Sequence, residues 1–128
     1  MSLQKITTPL VHATQLDNGI IHEVYHPISV TIDILEEHIE ICRQAFGTEG
    51  CYLSDIRQLK SVCQKSRKHL ANHSVAKASA VLVSSGFSTM VGNIFLKFNK
   101  PNFPIRLFTS EEKAMTWLKN QQIALKKI

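Results

Sequence analysis

The stretch from Ile56 to Ser110 contains no carboxylate, although nine lysines and arginines fall within it. Met1 to Asp55 is the reverse, with eight carboxylates against two bases, Lys5 and Arg43. A formal net charge of +5 conceals this division. Either the two halves present separate fields to solvent, or an acidic helix lies beside a basic one inside the fold. Long apolar runs are also missing: none approaches the roughly 20 residues that span a bilayer, which excludes integral membrane association. The N-terminus, Met1-Ser2-Leu3-Gln4-Lys5, lacks the apolar core of a secretory signal. Cysteine is scarce and odd in number: Cys42, Cys51 and Cys63 show no metal-type pairing. Reduced thiols and a cytoplasmic location are the expectation. No glycine-rich phosphate loop is present, Ser84-Ser85-Gly86 being too slight for one. No aromatic platform interleaves the basic block, so specific reading of nucleic acid is not expected. With no repeat or composition break, 128 residues suit a single domain, 1–128, with its own hydrophobic core.

What is present is a regular alternation of elements. Two strands, about Pro9 to Leu16 and Ile20 to Tyr25, flank Asp17-Asn18-Gly19, a turn that tolerates positive φ and predicts a hairpin. A helix is predicted over Ile32 to Phe46, capped by Thr31 and stopped by Gly47. Its apolar stripe runs through Ile32, Leu35, Ile39 and Cys42, with Glu36, Glu37 and Glu40 opposite. Cys51 to Ile56 reads as a buried strand, Gln64 to Leu70 as a short basic helix, and Ala78 to Ser84 as a strand covered on both faces. Ser88 is placed to cap a third helix bearing Met90, Val91, Ile94, Phe95 and Phe98. Two prolines, Pro101 and Pro104, interrupt the chain before a strand at Ile105 to Phe108. A last helix follows, with Thr109 and Glu112 at capping-box spacing and Ala114, Trp117 and Leu118 inward. The order β-β-α-β-α-β-α-β-α predicts an α/β domain with a mixed sheet of about five strands and packed helices.

Three segments carry a family resemblance. They are Tyr52-Leu53-Ser54-Asp55-Ile56-Arg57, Ser66-Arg67-Lys68-His69-Leu70, and Arg106-Leu107-Phe108-Thr109-Ser110-Glu111-Glu112 with Ala114, Trp117 and Leu118. Together with the element order they resemble the STAS, anti-sigma-factor-antagonist-like family, and within it bacterial proteins grouped as STAS/SEC14-like. The resemblance implies a STAS-like fold and a non-enzymatic regulatory or scaffold role through docking to a protein partner. Family antagonists are phosphorylated on a serine in an Asp-Ser pair closely followed by glycine. The corresponding stretch here, Val62-Cys63-Gln64-Lys65-Ser66, has neither the pair nor the glycine.

The candidate docking region is Asp55, Arg57, Lys60, Ser61, Lys65, Ser66, Arg67 and Lys68. Asp55 ends a strand where α/β sheets place sites, but it equally suits a turn that it caps. Ser66 is expected on the surface. Among the thiols, Cys42 and Cys51 read as core, while Cys63 beside Lys60, Lys65 and Arg67 is the one whose pKa is expected to fall. The bases also suit a phosphate-bearing ligand. The face formed by Phe87, Met90, Val91, Ile94, Phe95 and Phe98 is a core, a homodimer surface, or the wall of an apolar pocket. This makes a carrier or sensor of an apolar or phosphate-bearing small molecule the alternative function. Neither a metal site nor a cofactor is expected. His22 and His26 share a strand face but sit roughly 13 Å apart at about 3.3 Å per residue, and His69 and His73 align only if their helix continues past Asn72.

Overall fold

Asp17-Asn18-Gly19 makes the predicted hairpin, but only Gly19 takes positive φ, at 88°. Asn18 contributes through its side chain, whose Oδ1 accepts the Ile20 N–H at 2.9 Å. The computed structural model of the chain describes residues 4–73, 75–85 and 103–126. The hairpin joins β2 (Val11–Gln15) to β3 (Ile21–Tyr25), antiparallel, with Thr14 opposite His22 and His12 opposite Val24. A further edge strand, β1 (Lys5–Thr7), pairs with β2. Two short strands follow the pattern β–α: β4 (Ser29–Val30) leads into α1 (Ile32–Phe46), and β6 (Ser61–Val62) leads into α2 (Gln64–His73). The remaining elements are β5 (Cys51–Asp55), β7 (Ala78–Leu82), β8 (Ile105–Phe108) and α3 (Glu111–Lys126).

The main sheet has six strands in the order β1-β2-β3-β5-β7-β8, so the expected sheet of about five gains β1 at its edge. β3, β5, β7 and β8 run parallel, and β4 pairs with β6 in a separate parallel ladder. Parallel strands need crossovers that cover the sheet, and the burial of all five β5 residues reflects cover on both faces. On one face α3 seats Ala114 and Leu118, both fully buried, on Leu53, Ala78 and Ala80. On the other, α1 lays Leu35 and Ile39 over Leu10, Ile21, Tyr25 and Tyr52. The acidic α1 packs beside the basic α2. The charge division of the sequence is therefore brought together between neighbouring helices.

Helix ends show how local chemistry sets the boundaries. Gly47, at φ 75°, closes α1 with its N–H on the Arg43 carbonyl. Thr31 occupies the N-cap but makes no side-chain cap bond. At α3 the cap is Ser110 and not Thr109: the Lys113 N–H donates to Ser110 Oγ at 3.3 Å. α2 extends to His73, three residues beyond the expected end. The predicted helix after Ser88, with its Phe87, Met90, Val91, Ile94, Phe95 and Phe98 face, lies outside the described residues.

Candidate functional site

Strand alternation decides which side chains enter the space beneath α1 and α2. β3 turns Ile21, Glu23 and Tyr25 to that side, and β5 turns Tyr52 and Ser54, with Glu23 directly beside Ser54 in the register. α1 covers them with Leu35, His38, Ile39 and Cys42, its buried face. Between these layers is a cavity of about 240 Å³. Its wall is mostly apolar, including Leu10, Val30, Ile39, Leu70 and Leu107, with Glu23, His38, Tyr52 and Ser54 forming a polar floor. Lys60, exposed, and Arg67, half-buried, bring positive charge to the same cavity.

The floor is a connected polar cluster. Ser54 Oγ–H donates to Glu23 Oε1 at 2.7 Å. His38 has a neighbour at each ring nitrogen: Thr8 Oγ1 lies 2.9 Å from Nδ1, and Glu23 Oε2 lies 3.3 Å from Nε2. The second approach is out of line for a hydrogen bond, so Oε2 has no hydrogen-bond partner among the described residues. Thr8 is itself fixed, accepting the Leu10 and Val11 N–H groups at 3.0 Å each. Cys42 Sγ stands 3.8 Å from both ring nitrogens of His38. Among the described residues, Tyr52 Oη and Arg67 Nε are likewise buried without hydrogen-bond partners. Unpaired buried polar atoms are uncommon, and three of them share this one cavity wall.

Cysteine, histidine and glutamate together suggest a nucleophile–base–orienter set, but the geometry denies it. An activated thiol needs a directed hydrogen bond to one nitrogen of its base; Cys42 is equidistant from both. Burial, reinforced by the Glu23 charge, pushes its thiol up to about 12. The same two causes, burial first, raise Tyr25 and Tyr52. The cluster thus sets the Glu23 side chain beside a thiol and two phenols that hold their protons.

The sequence-derived candidates divide. Asp55 and Arg57 are engaged with each other: Arg57 Nε and Nη2 donate to the two carboxylate oxygens at 2.9 and 2.7 Å. The Arg57 backbone N–H also donates to Asp55 Oδ1 at 3.1 Å, the turn-capping role. Burial raises the Asp55 pKa, but the Arg57 hydrogen bonds and charge outweigh it and hold the carboxyl below its ordinary value. Ser61, Lys65 and Lys68 are exposed on β6 and α2. Ser66, expected on the surface, is fully buried, because the first turn of α2 folds its hydroxyl under Cys63, Oγ to Sγ 3.0 Å. Cys63 is exposed and occupies the N-cap of α2, accepting the Ser66 N–H at 3.4 Å. Its thiol is lowered, as expected, with the Ser66 hydroxyl as the leading cause. His12 and His26 meet edge to face, ring centroids 4.6 Å apart, and Thr7 Oγ1 lies 3.1 Å from His12 Nδ1.

Glu23 and His38 were not among the expected site residues, although each carries a signal. Glu23 alternates with Ile21 and Tyr25, both inward, and His38 sits one turn before Cys42 on the apolar stripe of α1. A polar residue at an inward position of an otherwise apolar pattern needs a partner, and here Ser54 serves Glu23 and Thr8 serves His38.

A family model described as a domain of unknown function, DUF7793, matches residues 14–122. No curated protein matches the sequence. Among solved structures, an uncharacterized protein from the DUF3478 family with a SpoIIAA-like fold, from Shewanella loihica PV-4, is similar at a TM-score of 0.58. That similarity covers 91% of this chain and 92% of the other at 14% sequence identity. It bears out the STAS-like resemblance at the level of the fold. The chain therefore belongs to the DUF7793 family and has a SpoIIAA-like, STAS-type α/β fold.

Proposed function

We propose that this chain is a non-enzymatic binding module, in a bacterial cytoplasm, that holds a small molecule with an apolar body and an anionic head. The observation that carries this reading is the cavity of about 240 Å³ with Lys60 and Arg67, whose Nε has no partner among the described residues, on an otherwise largely apolar wall. Ligand sites of this kind are mostly apolar with a few placed polar groups that fix orientation, and a guanidinium prefers a carboxylate or phosphate. The test is calorimetric titration of the full chain with octanoate and octyl phosphate, which share the chain and differ in the head. Binding of either, weakened about tenfold or more in Arg67→Met, supports the reading. Absence of binding for both probes, or equal affinity in the variant, sinks it.

Protein docking is the second reading, and one feature favours it: Ser61, Cys63, Lys65 and Lys68 form an exposed patch around the start of α2. A partner recognised there includes a second copy of the chain, whose acidic α1 would complement the patch. Cross-linking and sedimentation at low and high salt test it, since such docking weakens as salt rises. Unchanged monomer under both conditions, with no partner captured from the native host, counts against it.

A further inference from the structure

We propose that Glu23, His38 and Cys42 form a three-ligand site for a transition-metal ion of the zinc class, with its open position facing the cavity. β3 supplies the carboxylate, and α1 supplies the imidazole and thiol from positions one turn apart. The three residues are 3%, 5% and 1% exposed. One donor atom from each lies within 4.8 Å of the other two.

The spacing suits a tetrahedral ion. Zinc bonds of about 2.0 Å to nitrogen or oxygen and about 2.3 Å to sulfur place ligand atoms roughly 3.3 to 3.6 Å apart. His38 Nε2 stands 3.3 Å from Glu23 Oε2 and 3.8 Å from Cys42 Sγ. Those two separations match tetrahedral edges in length, but Cys42 Sγ is as far from Nδ1 as from Nε2, so it must swing toward Nε2 on metal loading, and the third edge, Glu23 to Cys42, lies within 4.8 Å.

Two further observations point to a cation. Glu23 Oε2 is buried without a hydrogen-bond partner among the described residues, a state that metal coordination relieves. The outer contacts are also those that orient metal ligands: Thr8 Oγ1 sits at His38 Nδ1, and the Ser54 hydroxyl holds Glu23 Oε1. Coordination through Nε2 requires the tautomer that carries its proton on Nδ1, facing Thr8 Oγ1, which already accepts the Leu10 and Val11 N–H groups. Mixed nitrogen, oxygen and sulfur donors select zinc-like ions over magnesium or calcium, which take oxygen ligands. Binding displaces the Cys42 thiol proton to solvent, giving a thiolate–metal bond with no change of oxidation state. Three protein ligands leave a fourth vertex, and all three line the cavity.

The test is Co²⁺ and Zn²⁺ loading of the full chain after chelator treatment. Co²⁺ is expected to give the strong visible bands of four-coordinate cobalt and a near-ultraviolet thiolate-to-metal band at one ion per chain. Cys42→Ser abolishes the thiolate band, and Glu23→Gln weakens Zn²⁺ binding at least tenfold. Cys63→Ser, which removes the exposed thiol, leaves both intact. Circular dichroism of each variant separates loss of ligand from loss of fold. Substoichiometric metal on the unaltered chain overturns the proposal, as does a thiolate band that survives Cys42→Ser and disappears with Cys63→Ser. The octanoate titration, run on chelator-treated protein, judges the cavity reading separately, so either can fail alone.

Discussion

The two faces of the sheet are both buried but built on different chemistry. Beneath α3 the contact is small and apolar: Ala78, Ala80, Ala114 and Leu118 are fully buried, and Leu53 fills the centre of β5. Beneath α1 and α2 the sheet places Glu23, Tyr52 and Ser54 where a stability-driven core would place aliphatic groups. The same strand, β5, serves both: Leu53 faces α3, while Tyr52 and Ser54 face the cavity. One face holds the fold, and the other gives up stability for polar groups and open volume, the usual mark of a binding site.

Substitutions that probe each face sharpen this contrast. Leu118→Ala should have the largest effect, a loss of about 3 kcal/mol from a buried leucine that has no room to be replaced. Chemical denaturation measures it, and octanoate affinity should be unchanged. Glu23→Gln, at a residue nearly as buried, should cost chelator-treated protein under about 1 kcal/mol or raise its stability, because it replaces a buried carboxyl while keeping an acceptor for Ser54. A loss comparable to that of Leu118→Ala would erase the distinction between the faces.

Asp55 and Arg57 form a smaller, separate test at the end of β5. Arg57 is half-exposed, so Arg57→Ala should cost only about 1 kcal/mol near neutral pH. The Asp55 carboxyl is lowered in the fold, so its contribution is present above the unfolded value of 3.8 and is lost as pH falls through the folded one. Denaturation at acid pH should therefore bring the variant and the unaltered chain together. Ser110→Ala, the smallest, should lose about 0.5 kcal/mol by removing the cap of α3.

Much of the architecture was legible because periodicity and turn chemistry are local. α1 and β8 occupy the residues that their patterns define, and Gly19 and Gly47 mark a turn and a helix stop. Lys5–Thr7, three half-polar residues, becomes a strand only through its pairing with β2, and no local pattern announces that partner. Ser66 escaped for a related reason: hydroxyls beside lysines read as solvated until the first turn of α2 closes over one of them. The polar floor was least visible. Glu23 interrupts a strand pattern and His38 lies within a helix stripe, 15 residues apart, and only the crossing of α1 over β3 brings them to 3.3 Å.

The comparison between the faces is tested most directly by amide chemical-shift mapping of the full chain titrated with octanoate. The account predicts that the shifts gather on β3, β5 and the helices α1 and α2, around Glu23, His38, Tyr52 and Arg67, and leave Ala114 and Leu118 in place. Shifts centred on α3, or none at saturating octanoate, would contradict it.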